Sequence, residues 1–291
     1  MTETVRQSIC RTVLIVVDIL FINLSIGRNI LDKYKFIGQN KITFYNHRTR
    51  RERRRKCITS ITVISGVNYM KINFLGDSIT AGAKLNSLNE LYTRILCEEI
   101  GATENNYGIS GTRFARQTKP SADACCDRDF LSRADDLDAT ADFTFVFGGT
   151  NDYGHGDAPF GEPSDKTPYT FCGACNLLAE TLVKKFGRDK LCFILPLPRY
   201  NEDDPYGERG CKKVAGKPLS AYREQIKRVA DENGIDVIDM TGYFPMPQSA
   251  DGDEFTADGL HPNFAGQKLI ADRLYGYFIK KTGQTNAIAR D

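Results

Sequence analysis

From residue 71 onward the chain alternates short apolar runs with longer stretches of helical periodicity, and this pattern narrows the available folds more than any other feature. Residues 71–75 (KINFL), 142–147 (DFTFVF), 190–197 (KLCFILPL) and 235–240 (IDVIDM) read as strands, and a short further strand leads into Asn106-Tyr107-Gly108. Between them, residues 88–100, 167 to about 186, and 218–233 read as helices, and Pro262 opens a last helix to about Lys281. The run 190–197 is apolar at almost every position, as expected for a strand covered on both faces. Strand–helix alternation of this kind predicts a parallel sheet with helices on both sides. In such sheets ligands bind beyond the carboxyl ends of the strands. Residues that do chemistry are therefore expected just after strands.

Three polar blocks meet that expectation, and a fourth stands before a helix. Gly76-Asp77-Ser78-Ile79-Thr80 follows the first strand, where a serine at a strand-to-helix turn presents its hydroxyl beside a helix N-terminus. Asn106-Tyr-Gly108-Ile-Ser-Gly111 follows the second, and a backbone N–H in its glycine turn is a candidate oxyanion donor. Gly148-Gly149-Thr150-Asn151-Asp152 follows the third, and Asn151 offers a side-chain N–H to an oxyanion. Asp258-Gly-Leu-His261-Pro262-Asn263 precedes the last helix. A DxxH spacing on a turn lets the carboxylate hold one imidazole nitrogen while the other faces a serine. The only other histidine after residue 69, His155, has no carboxylate at that spacing and reads as a loop or pocket residue. Taken singly, each block is also readable as a cap or a tight turn.

Together the blocks GDSIT, NYGISGT, GGTND and DGLHPN resemble those of the SGNH/GDSL hydrolase superfamily, over about residues 70–280. The resemblance implies a flavodoxin-like, three-layer α/β/α sandwich on a five-stranded parallel sheet. It implies Ser78 as nucleophile, His261 as general base and Asp258 as the residue orienting it. It further implies an oxyanion hole built from the Ser78 N–H, the Gly111 N–H and Asn151. No GxSxG elbow of the α/β-hydrolase type occurs.

The composition, 41% hydrophobic and 26% charged over 291 residues, is that of a globular protein of one large or two small domains. The net charge of +2 conceals two unlike parts. Residues 1–69 carry 13 basic against 4 acidic side chains, and residues 70–291 carry 26 against 33. Residues 1–69 are thus expected to be a basic extension, poorly ordered or foreign to the native product, with Met70 as a natural start of the hydrolase domain at 70–291. The apolar run 13–26 is short for a spanning helix and is interrupted by Asp18 and Asn23. It ends without a small-residue cleavage site. A cytoplasmic location is the expectation, with secretion or anchoring as the alternative if residues 1–26 act as a signal. The tract 47–56 is rich in arginine but lacks interleaved aromatics, so no nucleic-acid partner is expected, nor firm membrane association.

Nine cysteines are an odd number, which favours a reducing compartment over a disulfide framework. Cys172-Gly-Ala-Cys175 and Cys125-Cys126 are read as small buried hydrophobes. No metal or organic cofactor is expected, since no ligand cluster is visible. Gly154-His-Gly156 lacks the third glycine of a dinucleotide site.

The predicted activity is ester hydrolysis through an acyl-enzyme on a small-molecule ester. Two polar segments, 153–168 and 198–217, are expected to overhang the site, which favours a short acyl group such as acetyl on a polar alcohol or sugar. Tyr153, Phe160 and Tyr200 are its candidate stacking platforms. The alternatives are a lysophospholipase or thioesterase of the same superfamily, and a ligand-binding module that keeps the fold without catalysis.

Overall fold

The computed structural model describes residues 70–204 and 216–283, together with a two-residue antiparallel ladder that pairs Ile42–Thr43 with Ser60–Ile61. Contacts divide the chain into two units, Met1–Asn68 and Tyr69–Asp291. The five-stranded sheet lies wholly in the second. The apolar run 13–26, the basic tract 47–56 and residues 205–215 of the second polar segment lie outside the described residues.

The sheet consists of β1 (Lys71–Gly76), β2 (Thr103–Gly108), β3 (Phe143–Phe147), β4 (Leu191–Ile194) and β5 (Asp236–Ile238). Its spatial order is β2-β1-β3-β4-β5 and every neighbouring pair is parallel. That is the doubly wound order of flavodoxin-like folds. Successive strand side chains point to opposite faces, and the two faces are both apolar. Ile72, Phe74, Phe143, Phe145, Phe147, Cys192 and Ile194 pack on one side with helices α2 (Tyr92–Ile100) and α6 (Phe264–Thr282). Leu75, Val146, Leu191, Phe193 and Leu195 pack on the other with α4 (Phe171–Phe186) and α5 (Leu219–Asn233). Two short helices, α1 (Ser78–Ala81) and α3 (Thr150–Gly154), sit directly after β1 and β3.

Three helix starts differ from the sequence expectation; the last helix begins at Phe264 behind the cap Asn263, so Pro262 precedes it rather than opening it. Residues 88–90 form a separate 3₁₀ turn capped by Ser87, and α2 begins only at Tyr92, because Leu91 is extended. The Tyr92 N–H donates not to an earlier turn but to the buried Gln267 side chain of α6, at 3.0 Å. Thr167-Pro168 precedes α4 without capping it. Thr170 is the cap, its hydroxyl accepting from Gly173 N–H, and the Thr167 carbonyl lies where a Cβ on Gly173 would sit.

The cysteines divide. Cys97, Cys172, Cys175 and Cys192 are buried free thiols, as a core role requires. The pair Cys125-Cys126 departs from that reading, since Cys125 is exposed and Cys126 half-buried. They lie on a 3₁₀ turn, 124–127, that runs over the surface and is capped by Asp123.

Candidate active site

The register of the sheet sets the site. Gly76 at the end of β1 pairs with Gly108 on one side and Phe147 on the other, so three strands finish level. Ser78, Gly111 and Asn151 each follow within a few residues.

Asp77 opens α1 by accepting the Ile79 N–H at 3.0 Å, which fixes the turn on which Ser78 stands. Gly108 allows β2 to end against that turn. A Cβ there would fall 2.4 Å from the Ala81 nitrogen. The Ser78 Oγ lies 3.0 Å from His261 Nε2, and His261 Nδ1 lies 2.8 Å from Asp258 Oδ2. A carboxylate only accepts, so Nδ1 carries the proton and Nε2 is left to accept from the Ser78 hydroxyl. The other Asp258 oxygen accepts the backbone N–H groups of His261 (2.8 Å) and Leu260 (3.2 Å). Partial burial pushes the Asp258 carboxyl up. The His261 N–H, the imidazole and the Leu260 N–H outweigh this and hold it below the usual carboxylate range. Gln267, one turn into α6, donates to the Ile79 carbonyl at 3.5 Å while accepting from Tyr92, so the helix after His261 is tied to the helix that begins at Ser78.

Asn151 and Gly111 meet through Thr112. The Asn151 amide donates to the Thr112 carbonyl at 2.9 Å, and its oxygen lies 3.0 Å from His155 Nε2. Asp152 accepts the backbone N–H groups of Phe114 and Ala115, both at 2.9 Å, and so clasps the 111–115 loop to α3. Gly111 has φ +75°, and a Cβ on it would lie 2.7 Å from Cys126 Sγ. Only glycine takes that conformation at little cost.

Two buried arginines, Arg133 and Arg113, complete the arrangement without having stood out in the sequence. Arg133, stacked 4.6 Å from the Phe130 ring centroid, donates to the carbonyls of Gly76 (3.2 Å) and Tyr107 (2.7 Å) and to Thr112 Oγ1 (2.9 Å). One guanidinium thereby joins the ends of β1 and β2 to the 111–115 loop. Burial lowers its pKa to about 10. Burial likewise pushes the Asp77 carboxyl up to about 7; the Ile79 N–H, Arg133 and Arg199 oppose the rise and Asp152 adds to it. Arg113 and His155 stand behind Asn151, 3.1 Å apart. Arg113 has no sequence signal beyond its place directly after the NYGISGT block, whereas His155 is the residue read from the sequence as loop or pocket, and it is exposed.

The polar segments are packed more closely than expected. Tyr153 is buried, edge-on to Tyr222, and Phe160 packs against Phe171 and Tyr222. The core takes up the Tyr153 ring, which is therefore no stacking platform, whereas Phe160 is half-buried. Tyr200 is half-buried. The start of the second segment forms a strap across the site. Arg199 donates to Thr150 Oγ1 at 3.1 Å, the Tyr200 N–H donates to the Gly259 carbonyl at 2.8 Å, and Glu202 forms a two-pronged ion pair with Arg223. The strap thus connects α3 to the 258–261 turn.

The sequence profile of the GDSL-like lipase/acylhydrolase family matches residues 74–269, more than half of the chain. The chain belongs to this family. The GDSL-like lipases and acylhydrolases are hydrolases acting on ester bonds, and that activity class extends to this chain. A solved protein from Lactobacillus plantarum shares 27% identity and a TM-score of 0.61, over 75% of this chain and 99% of its own. The lipase/acylhydrolase from Enterococcus faecalis, at 22% identity and a TM-score of 0.50 over 72% and 95%, shares the GDSL-like fold. No protein of curated function matches. Among the described residues no group of three or more His, Cys, Asp or Glu is placed to hold a metal ion. None of the described helices is long and apolar enough to cross a membrane.

Proposed function

We propose that this chain is a serine esterase that cleaves its substrate by acyl transfer, with Ser78 as nucleophile, His261 as general base and Asp258 holding the base. The observation that carries this reading is the continuous chain Ser78 Oγ–His261–Asp258, at 3.0 and 2.8 Å. His261 Nε2 takes the hydroxyl proton as Ser78 Oγ attacks the ester carbonyl, and Asp258 stabilises the imidazolium that forms. The tetrahedral oxyanion is held by the N–H groups of Ser78 and Gly111 and the free N–H of the Asn151 amide. His261 returns its proton to the leaving alcohol. Water activated by the same nitrogen then releases the acid.

The preferred substrate is a small polar ester bearing a short acyl group such as acetyl. The polar strap 199–202 beside the site supports this, with Arg199 and Glu202 held in fixed ion pairs and hydrogen bonds. A specific observation favours the second reading, a lysophospholipase or thioesterase. Leu88 and Phe264 are exposed at 60% and 54%; Phe264 follows His261 by three residues, and a Cβ on Gly82 at the end of α1 would lie 3.1 Å from Leu88.

The test is turnover of p-nitrophenyl esters of graded chain length by the full chain and by Ser78→Ala. Turnover greatest at acetate and abolished in the variant is expected. A maximum at long acyl chains replaces the first substrate reading with the second. A Ser78→Ala enzyme as active as the parent overturns the nucleophile assignment.

A further inference from the structure

The structure assigns His155 as a positioning residue: it orients the Asn151 amide for oxyanion binding, and Arg113 in turn sets its tautomer. The inference rests on the assignment of Asn151 as an oxyanion donor. An asparagine amide turned by 180° would present an oxygen lone pair to the oxyanion, and the site would then repel the charge that it should stabilise. Something must therefore fix which end of the amide faces which way.

The hydrogen bonds allow one solution. The Thr112 carbonyl only accepts, so the Asn151 group 2.9 Å from it is the NH₂. The Asn151 oxygen consequently faces His155 Nε2 at 3.0 Å, and that nitrogen must carry a proton to donate. On the far side of the ring, Arg113 Nη1 lies 3.1 Å from Nδ1. A guanidinium only donates, so Nδ1 must be the bare nitrogen. The neutral tautomer protonated on Nε2 satisfies both ends at once. Arg113 is itself buried, and its Nη2 donates to Asp127 Oδ1 at 3.0 Å and to Ser121 Oγ at 2.9 Å. The sequence Asp127–Arg113–His155–Asn151 is thus a directed chain of donors and acceptors. It ends on the one amide N–H that Thr112 leaves available. Asn151 and His155 are also four residues apart on α3 and its cap, with the His155 N–H bonded to the Asn151 carbonyl at 2.9 Å, so the ring is held at a fixed height above the amide.

Loss of an oxyanion donor costs about 10²–10³ in kcat, and an amide free to rotate forfeits a part of that. For His155→Ala a loss of about 10- to 100-fold in kcat is expected, with KM within twofold, since the amide acts on the transition state. Glutamine is the discriminating replacement. Its NH₂ can donate to Asn151 while its oxygen accepts from Arg113, which is the polarity of the histidine tautomer, so His155→Gln is expected to stay within about fivefold of the parent.

The experiment is a double-mutant cycle on the full chain with a short-chain ester, using Asn151→Ala, His155→Ala and the pair, together with His155→Gln and Ser78→Ala. If His155 acts through Asn151, the double variant is no slower than Asn151→Ala alone. Losses that multiply, or a His155→Gln enzyme as impaired as His155→Ala, overturn the inference and leave His155 a merely structural residue. An impaired Asn151→Ala beside an unimpaired His155→Ala also overturns it, and the oxyanion assignment stands. An unimpaired Asn151→Ala overturns that assignment and the inference together, whereas an active Ser78→Ala removes the esterase mechanism itself. Urea unfolding of each variant separates a lost fold from a lost orientation.

Discussion

Asp77 carries a carboxyl group at the foot of the turn that bears Ser78, almost wholly out of water, and its replacement by asparagine makes a sharp thermodynamic test. Its pKa rises from an ordinary 3.8 to about 7 because burial disfavours the anion more than Arg133, Arg199 and the Ile79 N–H favour it. Below pH 3.8 the group is protonated in both folded and unfolded chains and contributes no pH-dependent term. As pH rises past that value the unfolded chain releases its proton while the folded chain keeps it, so folding loses stability. The loss grows until the pH passes about 7 and is constant beyond. Three pK units at 1.36 kcal/mol each amount to about 4 kcal/mol. Asp77→Asn keeps an oxygen for the Ile79 N–H and has nothing to titrate. The stability of the variant relative to the parent is therefore expected to rise by about 4 kcal/mol between pH 4 and pH 8. Urea unfolding of both proteins at pH 4.5, 6 and 8 measures this difference, and all other titrating groups cancel. A difference constant across the range would refute the burial argument. A difference that fell with rising pH would mean that Arg133 and Arg199 stabilise the anion outright.

Two further substitutions probe how the site is held. Gly108→Ala places a Cβ 2.4 Å from the Ala81 nitrogen, so α1 must retreat by about 1 Å, and misplacement on that scale is expected to cost about 10² in kcat. Short-ester kinetics with a parallel thermal melt check this, and activity within threefold of the parent would contradict it. Arg133→Met leaves the Gly76 and Tyr107 carbonyls without their buried donor and is expected to destabilise the fold by about 2–3 kcal/mol. Urea unfolding at pH 7 reads it directly, and an unchanged midpoint would show that water replaces the guanidinium.

The architecture is legible in the sequence where burial is symmetrical. β3 and β4 are covered on both faces, so Phe143–Phe147 and Leu191–Ile194 announce themselves by apolar continuity. β2 is an edge strand of composition TENNYG, half-exposed along its length, and only its final residues carry a signal. Helix starts are blurred because tertiary contacts set them. The Gln267 side chain receives the first N–H of α2 from 175 residues away, which no local pattern encodes. In the candidate site, Ser78, Gly111 and Asn151 are legible because they stand a few residues beyond strand ends, and Asp258 and His261 because a DxxH spacing precedes the last helix. Arg133 and Arg113 are not, and His155 is legible only as a loop or pocket residue. An arginine in a polar stretch such as Leu131-Ser-Arg-Ala-Asp135 has the composition of surface, and only the converging carbonyls of Gly76 and Tyr107 make its burial favourable. The aromatic rings of Tyr153 and Phe160 mislead in the opposite sense, since a glycine- and proline-rich stretch reads as an open loop although its rings face the core.

Ser78 and His261 stand 183 residues apart in the chain although their side chains touch. During vectorial synthesis at about 5–20 residues per second, Ser78 emerges about 10–40 s before His261 exists. Throughout that interval Ser78 is an ordinary alcohol, with no partner to take its proton. The turn that carries His261 is held by Gln267 against α1 and α2 and by the strap at Gly259, so it is set only when α6 docks. On the proposed mechanism, hydrolytic competence is consequently the last property the domain acquires. The same mechanism makes a nascent or half-folded chain chemically silent, and the return of activity after denaturation a clock for the docking of α6.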